Sequence, residues 1–123
     1  MKTATSSRAG FTLVEIMIVV AIIGLLAAIA IPNFVRARNR TQTNSCINNL
    51  RQIDGAKHLW ALENKKDDSD EPTEDDIGNY LRSGQFPHCP SSAGVYTINP
   101  ISTDPVCSLS TLADPYKHAL PTP

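Results

Sequence analysis

The feature that most constrains this chain is an apolar run near its start. Phe11 to Ile31 reads FTLVEIMIVVAIIGLLAAIAI, 21 residues with one charge, at Glu15. A helix of that length rises about 31 Å at 1.5 Å per residue, close to the thickness of a bilayer's hydrocarbon core. The run therefore predicts a membrane-spanning helix. The competing reading is a cleaved secretory signal, with Ala28-Ile29-Ala30 as its small-residue cut site. Such signals have apolar cores of roughly 7–15 residues, and this run is longer and carries a carboxylate. An acid at the centre of a membrane helix costs on the order of 2.5–3.5 kcal/mol, and less near the ends. Glu15 lies four residues into the run, so a structural reading lets it reach part-way to the interface. The functional reading gives it a cation, yet no Lys, Arg or His occurs between Gly10 and Arg36. A cut just before Phe11 would create one, an α-amino group that is cationic near neutral pH.

The remaining residues must build whatever soluble core exists. The chain has 123 residues, nine of them proline, and a net charge of −1. A core drawn from about 90 weakly apolar residues is marginal and commonly needs a disulfide, a metal or assembly. Charge is local: Arg36, Arg38 and Arg40 follow the apolar run, and Asp67 to Asp76 is acidic. No extended basic face is present, which argues against nucleic acid as a partner.

The residues around Glu15 carry a family resemblance. Arg8-Ala9-Gly10-Phe11-Thr12-Leu13-Val14-Glu15, followed by Gly24 and Pro32-Asn33-Phe34, resembles the N-terminal segment of type IV prepilins and type II secretion pseudopilins. The resemblance implies cleavage between Gly10 and Phe11 by a prepilin peptidase and N-methylation of Phe11. It implies that Glu15 pairs with the Phe11 amine of a neighbouring subunit during assembly. The implied partners are copies of this chain and related pilin-like subunits, an inner-membrane assembly platform, and membrane lipid before assembly. The resemblance also places the N-terminus in the cytoplasm, the helix across the inner membrane, and the head in the periplasm or outside the cell. Charge alone does not set that orientation, because Lys2 and Arg8 face three arginines across the span. Gly24 and Pro32 each weaken a helix, so a kink or melted stretch is expected between them.

Asn33 to Lys66 reads as a continuing, proline-free helix. At 100° per residue Cys46, Leu50, Ile53, Trp60 and Ala61 share one face, a stripe for the head to cover. Lys57 falls on the same face and is expected to extend its ammonium to water. Trp60 is expected to pack and not to bind a ligand. Lys65 to Pro72 reads as a loop. Thr73 with Asp76 three residues on predicts the capped start of a short helix through Leu81. The acids of that region suit a helix N-terminus. Calcium at Asp67, Asp68, Asp70 and Glu71 is the sharper alternative, known for some heads of the family resembled, although the run lacks EF-hand spacing. Val95–Ile98 and Val106–Leu109 read as two strands of an antiparallel hairpin.

Three cysteines allow one internal disulfide at most. Cys89 and Cys107 bracket the hairpin, and a bond between them is worth roughly 3 kcal/mol in the chain-entropy picture. Cys46 with either of them is a second pairing. A zinc site from the cysteines with His88 or His118 is a third arrangement, against which stands the lack of a paired C-x-x-C spacing. Thr111 to Pro123 has no periodicity and is expected to be an irregular, partly mobile tail.

No phosphate-binding glycine loop, H-E-x-x-H or G-x-S-x-G occurs, and His58, His88 and His118 lie apart, so an enzyme is not expected. The expected fold is α+β: a long kinked N-terminal helix, half transmembrane and half amphipathic, against a small head with a short helix and a β-hairpin. The expected organisation is a cleaved leader at 1–10, a polymerisation helix at 11–32, a stem helix at 33–66, a head at 67–110 and the tail at 111–123. The expected function is a filament subunit, a type II secretion pseudopilin in the first instance. A pilin of a type IV or DNA-uptake pilus is the alternative. A singly anchored metal- or ligand-binding module is the rival from another class.

Overall fold

A computed structural model of the chain describes residues 9–122. The leader residues Lys2 and Arg8 lie outside that range. The fold is α+β, with two α-helices and one two-stranded sheet among the described residues. Two compact units divide the chain, one ending at Arg36 and the other beginning at Ala37.

The first helix, α1, spans Leu13–Asn64 and runs through both units. It starts where Thr12 caps it. The Glu15 amide donates to the Thr12 hydroxyl at 3.2 Å, and the Thr12 amide donates back to the Glu15 carboxylate at 3.0 Å. This reciprocal capping box satisfies two of the orphan donors at a helix start. α1 passes Gly24 and Pro32 without interruption, so the stretch expected to melt is helical in the single chain. Proline removes one N–H from the ladder, and the good helix formers on either side carry it past the gap.

In the second unit α1 buries Thr43, Cys46, Leu50, Ile53, Ala56, Lys57, Trp60 and Ala61, the stripe its spacing predicts. α1 stops at Asn64, two residues short of the expected end. Lys65 turns left-handed (φ 50°), and the Lys66 amide reaches back to the Ala61 carbonyl at 3.0 Å. That is the six-to-one closure of a Schellman motif. α2 (Glu74–Gly78) opens on the predicted capping box of Thr73 and Asp76 and gives way to turns before Leu81. β1 (Tyr96–Thr97) and β2 (Val106–Cys107) pair antiparallel, with Tyr96 opposite Cys107 and Thr97 opposite Val106. The hairpin is shorter than expected because Ser108–Thr111 winds into a 3-10 turn. Ile77, Leu81, Tyr96, Ile98, Ile101 and Cys107 close over the α1 stripe as one core.

One expectation fails here. Lys57 does not reach water: it is fully buried, and its ammonium donates to the carbonyls of Ile98, Pro100 and Thr103 at 2.5–3.0 Å. The turn between the strands folds back over α1 and turns its main-chain oxygens inward. The C-terminal segment is irregular, but it is tied down. The His118 side chain is buried, its amide donates to the Leu109 carbonyl, and Leu120 packs on the core.

Candidate functional site

Two places gather chemistry, and they lie in different units. In the first, the Gly10–Phe11 junction is exposed, non-helical backbone directly before the Thr12 cap. Extended, accessible backbone is what a peptidase needs. The large apolar side chains that follow, from Leu13 to Val35, are all exposed, and none of the most apolar stretch of α1 is buried within the chain. By length and composition this stretch can cross a membrane. Glu15 projects from the first turn and is held by the Thr12 amide, a partner the sequence already encodes in its T-x-x-E spacing.

In the second unit the fold collects Cys46 from α1, Cys89 from the loop before β1, Cys107 from β2 and His118 from the C-terminal segment. Their ligand atoms all lie within 4.8 Å of one another. The three cysteines are thiols. Cys107 and Cys89, the expected disulfide pair, stand with sulfurs 3.9 Å apart, and His118 Nδ1 lies 3.6 Å from Cys89 Sγ. Burial pushes the Cys46 thiol up to about 12, with the Tyr96 hydroxyl beside it pulling the other way. Burial also raises Cys107, against the Leu109 amide, and lowers His118.

The histidine is oriented from behind. Its Nε2 lies 3.3 Å from the Thr43 hydroxyl, whose own proton goes to the Asn39 carbonyl at 3.0 Å. With that proton committed, the Thr43 oxygen accepts, so neutral His118 carries its N–H on Nε2. The lone pair on Nδ1 then faces the sulfurs. Gly94 completes the enclosure: a Cβ there would overlap Cys89 Sγ and stand 3.2 Å from Cys107 Sγ.

The acidic run serves the backbone. The Asp70 carboxylate accepts from the Asp67 amide, and the carbonyls of Asp68 and Asp70 accept from Ser102 and Ile101. Among the described residues, the thiol–histidine set is the one group of three or more His, Cys, Asp or Glu ligand atoms close enough to share an ion. His88 is exposed and outside it. The sequence offers the cysteines with His88 or His118 as one arrangement among three, and the structure brings His118 and not His88 to them; Thr43 and Gly94 carry no signal in the sequence. No local spacing could reveal Thr43, whose partner lies 75 residues away.

Comparison with known proteins bears on the first unit and, for the relatives, on a stretch longer than it. The family described as the prokaryotic N-terminal methylation motif matches residues 5–31. The type IV major pilin protein PilA of Myxococcus xanthus is 57% identical over 44 residues, 36% of this chain and 20% of that protein. A fimbrial protein of Pseudomonas aeruginosa is 45% identical over 60 residues, 49% of this chain and 39% of its own length. The type II secretion system core protein G of Escherichia coli is 33% identical over 61 residues, 50% of this chain and 42% of that protein. The chain thus spans between a fifth and about two fifths of the length of these relatives. No solved structure matches. The methylation motif and these relatives agree with the capped apolar helix behind Gly10–Phe11: the N-terminal part of the chain is similar to that of type IV pilins and of type II secretion core protein G.

Proposed function

We propose that the chain is a structural subunit of a pilin-like filament, assembled through residues 11–35 of α1. The observation that carries this reading is that α1 leaves its whole apolar first part uncovered while Glu15 stands at its capped start. In the membrane lipid covers that surface. In a filament the same surface packs against other copies, and Glu15 meets the Phe11 amine of a neighbour. Two unit charges at 4 Å attract by about 4 kcal/mol at an effective dielectric of 20. A misplaced subunit would leave a carboxylate unpaired in an apolar core, so the pair also sets register. A prepilin peptidase would cut at Gly10–Phe11, Phe11 would be methylated, and an inner-membrane platform would extract the subunit, with the head on the far side of that membrane.

Within the family we favour a type II secretion pseudopilin, on the small helix-and-hairpin head and the likeness to core protein G. A pilus pilin is the second reading, favoured by the higher identity to PilA of M. xanthus. Mass spectrometry of the mature protein tests processing: loss of ten residues and a methylated Phe11 are expected, and an intact Met1 or a cut near Ala30 defeats the filament reading. Glu15→Gln keeps a capping acceptor but removes the charge, so it should abolish filaments while the subunit stays in the membrane. Normal filaments from that variant would refute the charge pairing. Deleting the chain should abolish export of secreted enzymes if it is a pseudopilin, and surface filaments if it is a pilin.

A further inference from the structure

We propose that Cys46, Cys89, Cys107 and His118 form a closed tetrahedral site for a structural zinc ion in the second unit. Zinc takes thiolate sulfur at about 2.3 Å and imidazole nitrogen at about 2.0–2.1 Å, which sets tetrahedral S···S edges near about 3.8 Å and S···N edges near about 3.6 Å. The Cys89–Cys107 and Cys89–His118 separations are 3.9 and 3.6 Å, close to those edges. Three sulfurs and one nitrogen make one of the common structural zinc sets, and four protein ligands leave no open position for chemistry.

The surroundings are those of a ligand set and not of a chance meeting of thiols. Metal-bound histidines generally use their second nitrogen to hold the ring in place. Thr43, pinned by the Asn39 carbonyl, does this for His118 and directs the free lone pair at the sulfurs. Gly94 lets the main chain close on Cys89 and Cys107 where any side chain would collide. The four ligands come from four segments, so one ion would staple α1, the hairpin and the C-terminal segment together. That suits a head whose strands are two residues long.

The balance is simple. Binding replaces three S–H bonds with three S–Zn bonds, releases three protons to solvent, and takes the Nδ1 pair of neutral His118. A Cys89–Cys107 disulfide is the competitor. It needs an oxidant to accept two electrons, and it leaves Cys46 and His118 facing an oxidised pair. The extracytoplasmic side of a bacterial membrane is oxidising, so the contest is real.

The test uses the full chain purified in detergent without reductant. Elemental analysis should give one zinc per chain that survives dialysis, and peptide mass spectrometry should find no disulfide. Replacing zinc with Co2+ should give the intense visible bands of a tetrahedral thiolate site. Cys89→Ser should remove those bands. Because that variant could simply fail to fold, His118→Cys is its counterpart: it should keep one metal per chain and shift the cobalt bands to lower energy, as a fourth sulfur requires. Three outcomes overturn the proposal: a Cys89–Cys107 disulfide without bound metal, three thiols that take up no zinc or cobalt, or metal content unchanged in Cys89→Ser.

Discussion

Each unit of this protein sets one charged side chain among apolar neighbours, and the two do so in opposite ways. Glu15 stands on a helix whose apolar side chains are uncovered, and the contact the chain gives it is the Thr12 amide. Lys57 is enclosed, and three carbonyls from its own chain take all three of its protons. Among the described residues, no buried side-chain nitrogen or oxygen lacks a partner. The difference teaches where each region finds its stability. The second unit is completed by its own loops, whereas the first presents an apolar surface that its own chain leaves uncovered.

The comparison breaks most sharply at Lys57. Lys57→Met should leave the Ile98, Pro100 and Thr103 carbonyls without the ammonium, the first of them buried, and destabilise the second unit by about 3–5 kcal/mol, as loss of one member of a buried charged network does. Denaturation followed by fluorescence of Trp60, the sole tryptophan, would measure it, and loss below about 1 kcal/mol would mean water replaces the ammonium. The same methyl deletions then separate the units. Ile53→Ala should cost about 2–5 kcal/mol in that transition, because Ile53 is fully buried. Ile18→Ala, at a side chain that is 53% exposed, should leave the transition unmoved and reduce filament yield. Equal effects at both sites would erase the distinction.

Smaller effects sharpen the picture within the second unit. Gly94→Ala must push a methyl into Cys89 and should cost about 1–3 kcal/mol by the same fluorescence readout. Thr73→Ala should cost about 1 kcal/mol through loss of the α2 cap. The Thr73 amide and hydroxyl hold the Asp76 carboxyl below its usual 3.8. Its contribution is therefore complete above that value and disappears as pH falls through the lower, folded-state value. An acid titration should show this limb in the wild-type chain and not in Asp76→Asn.

How far the fold could be read follows the range of the signal. The α1 stripe and the Thr73–Asp76 cap were legible because their partners lie within a turn or repeat every 3.6 residues. The Thr12–Glu15 cap has the same short spacing, although its carboxylate also carries a charge that the helix start alone does not explain. Lys57 was misread because its acceptors are main-chain oxygens more than 40 residues away, and carbonyls leave no mark in a sequence. His118 sits in a stretch without periodicity, 29 residues from Cys89, so the sequence could group it with the cysteines but could not choose it over His88. The hairpin was found in place but drawn too long, since Ser108 to Leu109 has strand-like composition and yet turns.

The Lys57 enclosure has a consequence for how the outer surface can vary. Its acceptors are peptide oxygens, which every residue supplies, and the side chains of Ser102 and Thr103 point to solvent. The ammonium grips the loop without reading its sequence. Exposed positions of that loop can change while the internal clamp beneath them stays the same.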